Sequence, residues 1–286
     1  MTSGSRGAVF LLTDYGSADE FAGVTRAVVV RHAPGAPVVD LTHAIPPFDV
    51  RAGALALSRS VGYLGPGVVV AVVDPGVGSE RRAVAVSVSE DHGPRYLVGP
   101  DNGLLGGAMD VLGGPVAAVV LPARTGTFDG RDLFAPVAAR LWLGASLHDV
   151  GMPVDPATLA RLAPPRLEVE AGSIVAEVLW VDRFGNVQLA ARADDWARAG
   201  LGEVVVINVG GDTGTTGTTG TPGTPGTTRT SGTGRRVGSF SELEDDEVGL
   251  LVDANGQLSL VCDRRPAATV LAVRTGDTVR LSSTAA

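Results

Sequence analysis

Three aspartates in this chain sit where an apolar run stops: Asp14 after AVFLLT, Asp74 after VVVAVV and Asp101 after RYLVGP. A carboxylate at the end of a buried strand can accept hydrogen bonds, balance a cation or take a proton. The bend that follows the second of them, DPGVGSERRAV, adds Pro75, Gly76 and Gly78 and then two adjacent arginines, Arg81 and Arg82. Guanidinium groups pair with carboxylates through two parallel hydrogen bonds. The stretch therefore reads as an acid delivered into a glycine-rich turn with a cation behind it. Each aspartate taken alone is as readily a helix cap or a turn residue. Three on one sheet edge point to a site, because crowded acids are costly unless a ligand or an arginine uses them.

The composition narrows the chemistry. All 23 basic residues are arginine, which excludes a Schiff-base lysine and a lysine-bearing phosphate loop. No G-x-G-x-x-G follows the first strand, and no G-x-S-x-G elbow occurs. His32, His43, His92 and His148 lie far apart without ligand spacing, so a zinc site is not expected. The single cysteine, Cys262, falls in the apolar run LSLVCDRR and reads as a small buried hydrophobe. A formal net charge of −8 disfavours nucleic acid as a partner. What remains is a small-molecule site without metal or phosphate-binding loop, lined by acids and arginines.

The elements that would carry this site alternate. AVFLLTD, APVVDLTH, GVVVAVVD, RRAVAVSV and RYLVGPD read as strands. Phe21 to His32, VRAGALALSRSVGYL and DLFAPVAARLWLG read as helices. Strands apolar on both faces, alternating with helices, predict an α/β domain with a mostly parallel sheet. Ligands of such sheets bind outside the carboxyl ends of the strands. After LAPPRLEVE the pattern changes to short strands joined by turn signals such as Asn255-Gly256, which predicts a small all-β domain. We place the domains at 1–168 and 169–286. Residues 210–234, almost wholly Gly, Thr and Pro, are expected to be a disordered insert. No apolar stretch is long enough to span a membrane, and Asp14 interrupts the first apolar run before any leader cleavage site, so a cytoplasmic protein is expected.

Six motifs occur in order: FLLTDYG, DLTHAIPPFDVRAGA, VVDPGVGSERRAVAV, VGPDNGLL, TFDGRDLFAPVAARL and VDRFGNVQLA. Together they resemble the S-adenosyl-L-methionine hydroxide adenosyltransferase family, relatives of the fluorinase and chlorinase enzymes. The resemblance implies a Rossmann-like N-terminal domain, a small C-terminal β-barrel and a homotrimer. Its ligand would sit between the N-terminal domain of one subunit and the C-terminal domain of the next. It also implies displacement at the ribose 5′ carbon of S-adenosyl-L-methionine, which is then substrate and not cofactor; no other cofactor and no metal are implied.

By the same resemblance, Asp14 would hold the ribose hydroxyls and Phe48 would pack on the ribose. Phe184 and Asn186 would meet the adenine, Asp182 would take the methionine ammonium, and Phe240 would close the adenine pocket. Asp74 and Arg81 would belong to an Asp-Arg-His set that activates water, which leads to adenosine and L-methionine as products. The third member departs from the family pattern: TFDGRD stands where relatives carry TFHGRD, so Asp129 replaces a histidine. Asp129 is open to two arrangements, a proton-sharing pair with Asp74 or an ion pair with Arg81 or Arg131. Asn255 stands where halogenating relatives carry an arginine near the methionine carboxylate. Two other functions stay in play. One is a halide-using adenosyl transferase, disfavoured by the negative charge of Asp74. The other is an S-adenosyl-L-methionine or adenosine binding protein with catalysis weakened at Asp129.

Overall fold

The computed structural model describes residues 7–88, 95–122, 126–210 and 228–284. The chain divides into two compact units that meet at Ala163 and Pro164.

The first unit begins with β1 (Ala8–Thr13), α1 (Phe21–His32), β2 (Val38–Thr42), α2 (Val50–Val61) and β3 (Gly67–Val72). It continues with β4 (Ala83–Val88), β5 (Arg95–Pro100), α3 (Gly106–Val111), β6 (Pro115–Val120), α4 (Ala135–Trp142), α5 (Leu147–Val150) and β7 (Met152–Val154). The strands form one sheet in the order β2-β1-β3-β5-β4-β6-β7. β1 is parallel to β2 and β3, and β3 is parallel to β5. The sheet is mostly parallel, with β4 and β7 running against the rest.

The central strands β1 and β3 are buried from Val9 to Thr13 and from Gly67 to Val72, as expected when both faces are covered. Val9, Leu11, Val68, Val70 and Val72 share a core with Val29 of α1 and with Phe134, Ala138 and Leu141 at and within α4. The alternating residues Phe10, Leu12, Val69 and Ala71 are buried on the opposite face. There α2 packs with α3, and Gly53 of α2 lies against Val73 and Leu104.

β4 has a physical reason to run backwards. Parallel neighbours need a crossover of a dozen or more residues, usually a helix. The bend from Val73 to Arg82 contains none. The chain therefore turns back at the edge it has just reached, and Arg81 and Arg82 enter β4 on the same edge where β3 and β5 deliver Asp74 and Asp101.

The second unit contains β8 (Leu167–Glu170), β9 (Ser173–Val181), β10 (Val187–Arg192), α6 (Ala193–Ala199), β11 (Val204–Gly210) and β12 (Thr228–Arg236). β13 (Gly249–Val252), β14 (Gln257–Val261), α7 (Ala267–Val270) and β15 (Thr278–Ser283) complete it. Strands β9, β10, β14, β13, β12, β11 and β15 follow one another in a ring. Pairing of β10 with β9 closes a seven-stranded barrel, with β8 added against β9.

Two boundaries differ from those expected. The division falls inside the proline-bearing stretch before β8 and not at 168/169, because Leu167 to Glu170 pair with β9. The expected insert is too wide at both ends: Gly210 closes β11, and Thr228 to Gly234 belong to β12, hydrogen-bonded along β11. The remainder, residues 211–227, lies outside the described residues. Among the described residues, no helix is long and apolar enough to cross a membrane.

Candidate active site

At the carboxyl edge of the first unit's sheet lies a cavity of about 710 Å³. Asp14, Tyr15, Asp19, Phe48, Asp74, Phe128, Asp129 and Arg131 are among its lining residues.

Asp74 follows the last buried residues of β3. Its Oδ1 accepts from the Gly76 backbone N–H at 3.2 Å, so the carboxylate also shapes the turn that returns the chain toward it. Arg81 then reaches back. Its Nε donates to Asp74 Oδ1 at 3.0 Å, and one terminal nitrogen donates to both Asp74 Oδ2 and Asp129 Oδ2. The three side chains are only 6%, 13% and 10% exposed in the order Asp74, Arg81, Asp129. Burial pulls the Arg81 pKa down, but the hydrogen bonds and charges of the two carboxylates outweigh it and raise it above the ordinary arginine value. The guanidinium also lies 5.6 Å from the centre of the Phe134 ring. Asp129 is placed by the turn that opens α4. Residues Gly130–Phe134 form a single π-helical turn, a local widening often found at functional positions.

Of the arrangements open to Asp129, the structure adopts the ion pair with Arg81, and Asp74 shares that same guanidinium. Arg131 is occupied elsewhere: it pairs with Asp132 at 2.7 and 2.8 Å and stacks over Phe128 at 4.9 Å.

Asp14 follows β1, and its Oδ2 accepts from the Phe48 backbone N–H at 2.9 Å. Phe48 sits at φ 67°, a left-handed conformation that costs a non-glycine residue about 1 kcal/mol or more. Its neighbour Asp49 caps α2 through Ala52 N–H at 2.9 Å. The capped helix and the Asp14 bond together hold the strained residue, which is 69% exposed and lines the cavity.

Asp101 does not join them. Its Oδ2 accepts from Arg82 Nε and its Oδ1 from the Ala160 N–H, both at 2.7 Å, while Arg82 also donates to the Thr158 carbonyl at 2.6 Å. The third edge acid is a structural clasp.

The remaining expected residues lie in the barrel unit. Asp182 organises the loop between β9 and β10. Its Oδ1 accepts from the backbone of Phe184 and Asn186 at 2.8 and 2.9 Å, and its Oδ2 from Asn186 Nδ2 at 2.7 Å. This loop presents Phe184 with 75% of its surface exposed. Phe240, also exposed, begins a short 3₁₀ turn after β12. Asn255 is exposed in the β13–β14 turn, its N–H bonded to Asp253 at 2.8 Å.

Sequence reasoning missed the aromatic wall of the cavity. Tyr15, Phe21 and Phe128 meet edge to face, with ring centres 5.3 to 6.1 Å apart. Phe21 opens α1, while Tyr15 and Phe128 each adjoin a singled-out aspartate. It also missed Thr13, fully buried, whose hydroxyl pairs with His43 Nδ1 at 2.8 Å and accepts from Tyr15 N–H at 3.1 Å, fixing the turn that carries Asp14. The adjacency of Tyr15 to Asp14 and of Phe128 to Asp129 was the available signal.

Among the described residues, no three His, Cys, Asp or Glu side chains are placed to hold a metal ion. The site thus offers buried carboxylates in excess over their shared arginine, an aromatic wall and one exposed ring. That combination suits a cationic ligand with a flat group.

Comparison with known proteins agrees across both units. Residues 9–151 match the SAM hydroxide adenosyltransferase N-terminal domain, and residues 176–280 match the corresponding C-terminal domain. The chain is 42% identical to an (R)-S-adenosyl-L-methionine hydrolase of Salinispora tropica, over 95% of this chain and 96% of that one. It is 25% identical to a fluorinase of an Actinoplanes species over 68% of this chain and 74% of that one. A solved structure of an uncharacterized conserved protein from Thermotoga maritima superimposes with a TM-score of 0.81 at 29% identity, covering 96% of this chain and 99% of that one.

Proposed function

Because the chain belongs to the SAM hydroxide adenosyltransferase family, we propose that it hydrolyses S-adenosyl-L-methionine to adenosine and L-methionine. The observation that carries this reading is the buried Asp74–Arg81–Asp129 set, whose two carboxylates line the cavity. The substrate's sulfonium is a cation, and two carboxylates on one guanidinium leave a net negative charge to receive it. A water oxygen attacks the 5′ carbon as the C5′–S bond breaks. The bonding pair stays on sulfur, so methionine leaves as a neutral thioether and needs no acid. The water gives one proton to the Asp74 carboxylate, which Arg81 holds in place. What the protein supplies is alignment, a base and exclusion of bulk water.

Asp14 accepts hydrogen bonds from the ribose hydroxyls with the lone pairs that Phe48 N–H leaves free, and the Phe48 ring covers the sugar. In this reading the active assembly is a homotrimer, and the barrel of a neighbouring copy completes each site. There Phe184, Asn186 and Phe240 contact the adenine, and Asn255 lies near the methionine carboxylate. Asp182 spends three of its four lone pairs on its own loop, which leaves one on Oδ2 for the methionine ammonium.

Incubation with S-adenosyl-L-methionine, with and without chloride, followed by chromatography of the nucleoside tests this. Adenosine and methionine in equal amounts, unaffected by chloride, are expected. A chlorinated nucleoside would point to a halide-using transferase, and tight binding without product to a binding protein.

A further inference from the structure

Tyr15 lines the cavity, and neither the motifs nor the proposed mechanism gives its hydroxyl a task. Its backbone is pinned by Thr13, and its ring is wedged against Phe21 and Phe128. Its hydroxyl rests on the backbone at Gly130: a Cβ there would lie 2.0 Å from the phenol oxygen. The glycine of TFDGRD is thus required by the seat of this oxygen, directly beside Asp129. Yet among the described residues the hydroxyl makes no hydrogen bond, although it lines the same cavity as Asp14, Asp74 and Asp129. Tyr15 is half-buried and its side chain lines the cavity, so the hydrogen bonds of its hydroxyl are left for a ligand or a water held there.

We propose that the Tyr15 hydroxyl is a further catalytic contact, the group that fixes the second hydrogen of the attacking water; this rests on the hydrolysis proposed above. Burial, and then the negative charges of Asp14, Asp74 and Asp129, raise the phenol's pKa well above its ordinary value. It therefore works as a neutral phenol with two acceptor lone pairs and one proton to donate. A water molecule has two hydrogens, and only a lone pair directed at the 5′ carbon reacts. Asp74 takes one hydrogen. A second acceptor that is neutral orients the other without competing for the departing proton. As the O–C5′ bond forms and the C5′–S bond breaks, the proton goes to Asp74. The hydrogen held by Tyr15 stays on oxygen and becomes that of the adenosine 5′-hydroxyl.

The test is Tyr15→Phe, which keeps the ring and removes only the oxygen. A fall in kcat of about tenfold or more is expected, with the calorimetric Kd for S-adenosyl-L-methionine and the thermal midpoint nearly unchanged. Gly130→Ala provides a second route, because its methyl must displace the hydroxyl. It should lower kcat in the Tyr15 protein and lose most of that effect in the Tyr15→Phe background, a coupling that general loosening of the fold would not produce. Unchanged kcat in Tyr15→Phe, or a weakened Kd with kcat intact, would overturn the inference while leaving hydrolysis standing. A wild-type protein that forms no adenosine would remove both.

Discussion

Arg81 and Arg82 are consecutive, and each pairs with an aspartate at the end of a parallel strand, but the two pairs are built differently. Arg82 and Asp101 spend themselves on protein groups: the carboxylate takes Arg82 and the Ala160 N–H, and the guanidinium takes the Thr158 carbonyl. Charge and hydrogen bonds balance, and the chain following β7 is tied to the sheet edge. Arg81 is divided between two carboxylates that both line a cavity. One positive charge against two negative ones leaves an imbalance in a buried place, which a closed structural pair would not tolerate. Neighbouring residues leading into a strand point to opposite sides, so a single step along the chain separates a clasp from a charged site.

This contrast can be tested by removing one acid of each pair. Asp74→Asn should lower turnover about a hundredfold or more, since a general base contributes on that scale. Arg81 keeps Asp129 as a partner, so the thermal midpoint should move little. Steady-state kinetics beside a melting curve checks both, and full activity would remove Asp74 from water activation. Asp101→Asn should do the reverse. It breaks a carboxylate that is almost wholly buried while Arg82 stays one-third exposed, and a loss of about 2 kcal/mol is expected. Activity per folded molecule should persist. If Asp101→Asn abolished turnover at unchanged stability, the clasp would have to be redrawn as part of the site.

The smallest expected change concerns Phe48, where strain and exposure coincide. Phe48→Gly relieves a left-handed conformation but frees the unfolded chain, so stability should shift by less than about 1 kcal/mol either way. The KM for S-adenosyl-L-methionine should rise several-fold as the ring is lost. A large drop in stability would show that the ring supports the fold and not a ligand.

Much of this was legible before any coordinates. Runs such as AVFLLT and VVVAVV are long enough, apolar enough and bounded sharply enough by acids to locate the strands and the edge where chemistry gathers. Order along the chain could also place Asp74 and Arg81 together, because seven residues with two glycines can hardly do otherwise. The barrel elements were legible as short strands with turn signals, but β12 was not: its Thr and Gly residues look like the low-complexity stretch beside them, and only pairing with β11 makes them a strand. Asp129 is 48 residues from Arg81, and no local pattern chooses between a shared proton and a shared arginine. Asp14, Asp74 and Asp101 are equivalent as sequence, each an acid closing a strand. Which of them face a cavity and which is locked by Arg82 and the Ala160 N–H depends on what the next layer of chain brings to that edge. The same holds for the Tyr15 oxygen and the bare backbone of Gly130. Local propensity and periodicity are carried by neighbouring residues and can be read from them, whereas pairing, burial and charge balance between distant residues are settled only when the chain closes on itself.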